Sequence, residues 1–172
     1  MFGVFDDEKW EKIYMLPFRC SSNTRIRNFQ FKITHNILYL NEKLYIFNKT
    51  DTELCYFCNH QKESQNHFFY DCNVVRRFWE EVFLTFHCIF ENINIEEHIV
   101  LLGIIDEGKQ LANLIIILGK QVLYETKMNN GELTINMLKS KIKVIENIEK
   151  KIATQKNKML YHLMKWEKYL NM

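Results

Sequence analysis

Apolar positions recur at helical spacing in four parts of this chain. From Thr24 they fall at Ile26, Phe29, Ile33, Ile37, Leu40 and Leu44, behind candidate N-caps at Ser22 and Asn23, which predicts a helix over about 24–40. Asn73 is placed to cap a second, with Val75, Phe78, Trp79, Val82 and Phe86 on one side. A third runs from about Glu107 to Lys127, with Leu111, Leu114, Ile115, Leu118 and Val122 inward and Asn129-Asn130-Gly131 as its stop. Thr134 opens the longest. There Leu138, Ile142, Ile145, Ile148, Ile152, Met159, Leu163, Trp166 and Leu170 form one stripe, with Lys139, Lys150, Lys151, Lys158, Lys165 and Lys168 largely opposite. This predicts a single amphipathic helix of about ten turns.

Between the first two helices the period breaks, and a different pattern takes over. Cys55, Cys58, His67 and Cys72 follow Cys-x2-Cys-x8-His-x4-Cys, four ligand-type side chains within eighteen residues. Two cysteines separated by two residues can turn both sulfurs toward one ion, and a His and a Cys returning shortly afterwards complete the tetrahedron zinc prefers. Ser64 is placed to cap a short helix carrying His67. Buried free thiols are the bland alternative, but the packing of four ligands into so short a segment favours zinc. His60 lies too close to Cys58 to chelate with it, and Cys20 and Cys88 read as core or surface thiols. Three thiolates and an imidazole leave zinc no open position, so the site is expected to be structural. Such sites contribute about 10–16 kcal/mol in small peptides, comparable with the about 5–15 kcal/mol that holds a typical domain together. Loss of the metal is therefore expected to melt at least the region from Lys49 to Trp79.

Composition supports a helical reading. Thirteen Phe, eight Tyr and three Trp supply bulk, while five Gly and one Pro leave few breakers in 172 residues. The expected fold is mainly α: one domain over 1–172, with an N-terminal helical part at 9–48, a zinc knuckle of short β-hairpin plus short helix at 49–79, and a helical C-terminal part at 80–172 ending in the long amphipathic helix.

The net charge of +2 names no partner by itself, but its distribution is uneven. Residues 134–172 hold nine Lys/Arg against three Asp/Glu. A solvated face behind a core-facing stripe accounts for those lysines, and a nucleic-acid surface is the alternative. The most apolar stretch, Ile99 to Gly119, is interrupted by Asp106, Glu107 and Lys109, so no membrane span is expected. The first residues show no secretory pattern, and an intracellular chain in the cytoplasm or nucleus, with reduced thiols, is expected. The sequon at Asn48 then carries no sugar.

No catalytic constellation emerges. Phe5-Asp6-Asp7 lacks the spacer of the polymerase Tyr/Phe-x-Asp-Asp motif and reads as an exposed acidic start. There is no phosphate-cradling Gly loop and no Gly-x-Ser-x-Gly elbow. His87-Cys88 are sequence neighbours expected to point apart on a helix. More suggestive is the cluster of Arg25, Arg27 and Lys32 with Phe29, Gln30, Phe31, His35 and Tyr39, a mixture suited to phosphate contact and base stacking, though a solvated helix face accounts for it equally.

The residues also resemble a known family. Trp10-x2-Ile13-x2-Leu16-Pro17-Phe18 is followed by Arg25-x-Arg27-x-Phe29-Gln30-x-Lys32-Ile33-x-His35-x-Ile37-Leu38 and by Asn41-x2-Leu44. The Cys-x2-Cys, then Glu63-Ser64-x2-His67-x-Phe69-x2-Cys72 and Phe78-Trp79 complete the most specific stretch, 25–79. Weaker likeness extends over about 9–170, through Gly103, Leu111 to Leu118, Lys156-x-Lys158 and Lys165-Trp166. This string resembles the C-terminal zinc-binding segment of LINE-type non-LTR retrotransposon reverse transcriptase polyproteins. Many members carry Glu before the ligand His, where this chain has Asn66. The resemblance implies Zn2+ as cofactor and a non-catalytic accessory domain for an upstream polymerase. It also implies RNA or single-stranded DNA as partner, with Arg25, Arg27, Lys32, Arg76 and Arg77 as the cations on offer. An architectural or protein-interaction module, or an inert retrotransposon fragment, is the alternative.

Overall fold

The computed structural model of the chain describes residues 6–172. Among these, the helices are α1 Asp7–Cys20, α2 Thr24–Thr34, α3 Asn41–Ile46, α4 Asn73–Thr85, α5 Glu97–Leu102, α6 Gln110–Met128, α7 Ile135–Gln155 and α8 Met159–Leu170, with a π-helical turn at His67–Asp71. The mainly helical expectation holds. Among the described residues, no helix is long and apolar enough to cross a membrane.

The third predicted helix becomes the centre of the fold. Every residue of α6 from Leu111 to Lys120 is buried, not only the predicted inward stripe, because α1, α2, α7 and α8 all pack against it. A helix buried all round, with only Asn113 and Lys120 polar in that stretch, suits the central position. At Gly119 an added Cβ would lie 2.7 Å from Cη2 of Trp79, so the missing side chain is what lets the indole lie against α6. Trp79 itself is fully buried, and its Nε1 donates to Phe69 O at 2.8 Å. One side chain thus joins α4, the π-turn and the central helix.

Asparagines end four of the helices, while Gly103, at φ 99°, ends α5. Asn36, Asn48, Asn130 and Asn157 adopt left-handed φ of 50°, 53°, 47° and 53° just past α2, α3, α6 and α7. In each case the next residue's N–H reaches back to a carbonyl inside the helix: Ile37 to Lys32, Lys49 to Leu44, Gly131 to Thr126 and Lys158 to Ala153, at 2.8–2.9 Å. This is the six-to-one bond of a Schellman motif, with Asn tolerated where Gly is commonest.

Two expectations are corrected by these stops. The helix predicted over 24–40 ends at Thr34; Leu38 and Leu40 are then buried from an irregular segment, and α3 restarts at Asn41. The single ten-turn C-terminal helix is instead a hairpin. It breaks at Lys156-Asn157-Lys158, and α8 folds back on α7. Polar contacts close the hairpin: Glu146 meets His162 Nε2 at 3.1 Å, and Glu149 accepts from Lys165 Nζ at 2.7 Å and from Trp166 Nε1 at 2.9 Å. The reversal leaves Ile148, Leu163 and Leu170 of the predicted stripe exposed, while Trp166 is fully buried.

Candidate metal centre

The four predicted ligands converge. One ligand atom from each of Cys55, Cys58, His67 and Cys72 lies within 4.8 Å of the others. Tetrahedral zinc with bonds of about 2.3 Å sets sulfurs about 3.8 Å apart. The cluster therefore closes on such an ion with shifts of about an ångström. Cys55, His67 and Cys72 are buried, and Cys58 is half-buried.

The first half of the frame is a tight turn. Cys55 N–H donates to Gln61 O at 2.7 Å and Glu63 N–H to Glu53 O at 2.8 Å, around an isolated antiparallel bridge between Leu54 and Lys62. No strand forms among the described residues, so the predicted β-hairpin is reduced to that one bridge. The loop it closes is short and filled by ligand geometry. Asn59, at φ 52°, turns the chain, its N–H bonded to Cys55 O at 2.9 Å, and the N–H groups of Phe57 and Cys58 bond the Cys55 sulfur.

The second half is helical. Ser64 Oγ accepts from His67 N–H at 3.2 Å, as the sequence predicts, but the turn it starts widens into a π-turn. Cys72 N–H bonds His67 O at 3.0 Å, five residues back, which brings Cys72 around toward the imidazole. Phe68 and Phe69 are fully buried, and Phe57 stacks on Phe68 at 5.4 Å, sealing the inner side.

Electrostatics favour thiolate at the end of this turn. A hydrogen bond from the Cys55 thiol, aided by the Val75 and Val74 N–H groups at the start of α4, holds the Cys72 thiol down at about 5. Cys55, the donor in that bond and buried, is pushed up. His67 Nε2 lies 3.3 Å from Cys58 Sγ, and its Nδ1 is buried without a hydrogen-bond partner among the described residues. A soft three-sulfur donor set completed by an imidazole nitrogen fits zinc.

Behind the ligands lies a residue that periodicity did not single out. Glu63 is fully buried, accepts from Asn41 N–H at 2.8 Å and Tyr56 N–H at 2.7 Å, and pairs with Lys127 of α6. Lys127 Nζ also donates to Asn41 Oδ1 at 2.8 Å, and Asn41 Nδ2 to Leu54 O at 2.7 Å. The loop beside Cys55, the start of α3 and the end of α6 thus share one polar node. Its sequence trace is the Glu63-Ser64 pair between the two ligand halves.

The five candidate nucleic-acid cations do not form one patch. Arg25 and Lys32 line a groove between α2 and α6 of about 260 Å³, with Phe29 and Tyr124. Arg27 projects from another side of α2, its guanidinium 4.9 Å from the centre of the Phe18 ring. Arg76 lies over Tyr70 at 5.2 Å and 3.8 Å from Asp71, and Arg77 Nε reaches Asn73 O at 3.4 Å, both in α4 directly after Cys72.

The remaining candidates resolve plainly. His60 is exposed and outside the cluster, Cys20 is buried and Cys88 exposed. His87 and Cys88 do not point apart on a helix: they lie past the end of α4, exposed, with His87 Nε2 3.1 Å from Cys88 Sγ. Phe5 lies outside the described residues, while Asp6 caps α1 by accepting from Lys9 N–H at 2.8 Å.

Residues 4–79 match the family described as zinc-binding in reverse transcriptase. The matched stretch holds all four ligands and Glu63, is somewhat under half of the chain, and takes in no catalytic part of a reverse transcriptase. No curated protein matches the chain. The match and the cluster together support a zinc-binding accessory domain of the reverse transcriptase kind.

Proposed function

We propose that this chain is the non-catalytic, zinc-stabilised C-terminal domain of a LINE-type reverse transcriptase and helps hold RNA or single-stranded DNA for the polymerase. The observation that carries the reading is the convergence of Cys55, Cys58, His67 and Cys72 in the segment that matches the family. Held by all four, zinc ties the turn at Cys55 to the first turn of α4 and keeps no position for water or substrate. Its contribution is folding energy. The chain's own residues then supply the binding surface: Arg25 and Lys32 beside Phe29 in the α2–α6 groove, and Arg76 and Arg77 beside the metal.

Two measurements test this reading. Metal analysis of the purified chain is expected to give one zinc per chain, lost in Cys72→Ala. Nucleic-acid affinity measured across a salt series is expected to fall linearly on logarithmic axes, as phosphate contacts require. A folded, zinc-loaded chain with no affinity at low salt overturns the nucleic-acid part. A docking role on the polymerase is the second reading, favoured by exposed Tyr39, Tyr45, Ile46 and Phe47 around α3; salt-insensitive binding to that polymerase is its signature.

A further inference from the structure

Helices α1 and α2 each carry a row of large side chains that runs, beyond the partly buried Trp10, along a face turned away from the core. Spacing of four residues puts Trp10, Tyr14 and Phe18 in line on α1, and Arg27, Phe31 and His35 in line on α2. The short turn at Ser21–Asn23 sets the rows side by side and antiparallel. Phe18 meets Arg27 at the turn, with 4.9 Å between guanidinium and ring centre. Tyr14 stacks on His35 at 5.5 Å and 17°, His35 sits 4.2 Å from Phe31, and Trp10 stacks on Tyr14 at 5.8 Å and 26°.

Trp10 is partly buried against the core, but the other rings of the two rows do not serve it. Ile13, Leu16, Cys20, Ile26 and Ile33 fill the buried faces of the two helices, whereas Tyr14 is 44%, Phe18 56% and Phe31 50% exposed. Leaving so much aromatic surface in water forgoes about 25 cal/mol per Å² of burial, so the arrangement points to a ligand that covers it. We infer that the two rows form a stacking platform for single-stranded nucleic acid, with bases on the Tyr14, Phe18, Phe31 and His35 rings and backbone phosphate at Arg27.

Charge and length favour that occupant. Arg19, Arg25 and Arg27 gather at the turn end of the platform, while at the Trp10 end Asp6, Asp7, Glu8 and Glu11 outnumber Lys9 and Lys12, which orients a polyanion toward the turn. Arg27 Nε donates to Ser21 O at 2.6 Å, fixing the guanidinium plane over Phe18 and leaving its two Nη groups to face a phosphate. Each row spans eight residue steps, about 12 Å at about 1.5 Å rise, enough for about three bases at about 3.4 Å per step. A duplex hides its base faces from such rings, and a single strand offers them.

The inference rests on the nucleic-acid reading above, and its test separates the two. Zinc-loaded wild type, Tyr14→Ser, Phe31→Ser, and the conservative Tyr14→Phe and Phe31→Tyr are titrated with a short labelled single strand and with the same sequence as a duplex. Zinc content and circular dichroism report the fold of each variant. Each Ser variant is expected to weaken single-strand binding about five- to hundredfold, with duplex binding unmoved and the conservative variants near wild type. Wild-type single-strand binding that both Ser variants retain overturns the platform and leaves the nucleic-acid reading intact. Equal affinity for duplex and single strand also overturns the platform. Absence of any binding by folded wild type overturns both, and leaves the exposed rings to a protein partner.

Discussion

Glu63 and Lys127, 64 residues apart in the chain, form an ion pair from which solvent is almost wholly excluded. The pair fastens the loop beside Cys55 to the central helix, since Glu63 also accepts the Tyr56 and Asn41 N–H groups. Removing one partner of a buried pair strands the other charge, at about 3–5 kcal/mol. Glu63→Gln is therefore expected to lower the urea midpoint and, because it loosens the first-cysteine loop, to weaken zinc in chelator competition. Glu63→Gln with Lys127→Met should recover part of the stability by removing the stranded ammonium. A Glu63→Gln protein matching wild type in both measurements refutes the role assigned to this node.

Chelation should act locally first. A metal held by the four candidate ligands would join residues 55–58 to residues 67–72, whereas α6 and the α7–α8 hairpin have their own apolar contacts in Leu114, Leu118, Leu138, Ile142 and Trp166. Hydrogen exchange after metal removal is expected to rise over Lys49 to Trp79 well before it rises in α6 and α7. Uniform loss of protection along the chain would show instead that the metal holds the whole fold as one unit.

The break between α7 and α8 depends on Asn157 at φ 53°. Alanine resists that conformation by about 1–2 kcal/mol and favours continuing the helix, while glycine adopts it freely. Asn157→Ala should lower the melting midpoint and Asn157→Gly should not, as read by thermal unfolding followed by circular dichroism. Equal midpoints would mean that the stop is set by the Glu146–His162 and Glu149–Lys165 contacts alone.

That same residue explains where the sequence was legible and where it was not. Ligand spacing is a local signal, and Cys55, Cys58, His67 and Cys72 meet where it put them. Asn23 and Ser64 cap as their positions suggest. Helix ends are harder to read, because a scarcity of Gly and Pro predicts few breaks, whereas Asn36 and Asn157 supply the left-handed stops. A stripe at helical spacing continues in register across Asn157, so periodicity alone cannot distinguish one long helix from two folded together. The burial of Glu63 and Lys120 is illegible for another reason: a buried charge is defined by partners far along the chain, so even the Glu63-Ser64 pair in the family-like string does not show that Glu63 meets Lys127.

Lys120 gives the pH prediction. It lies wholly inside the protein, its Nζ donating to Gln30 Oε1 at 2.6 Å and to Leu101 O at 3.0 Å, so it links α2, α5 and α6 without a carboxylate partner. Burial pushes its pKa down from 10.5 to about 7, against an opposing effect of the nearby Cys20, whose own thiol burial raises to about 12. Between about 7 and 10.5 the unfolded chain binds a proton at this lysine that the folded chain has released. Folding stability must then rise with pH across that window, and Lys120 contributes no slope below about 7, where both states are protonated. Lys120→Met removes the titrating group while keeping most of its volume, although it leaves Gln30 Oε1 and Leu101 O without that donor. Urea midpoints for wild type and Lys120→Met, measured at several pH values from 6.5 to 9.5 with zinc held saturating, isolate the lysine as the difference between two curves. The wild-type midpoint is expected to gain on the variant steadily above about pH 7. Parallel curves would show that Lys120 stays charged inside the fold, with Gln30 and the Leu101 carbonyl solvating the ammonium well enough to hold its proton.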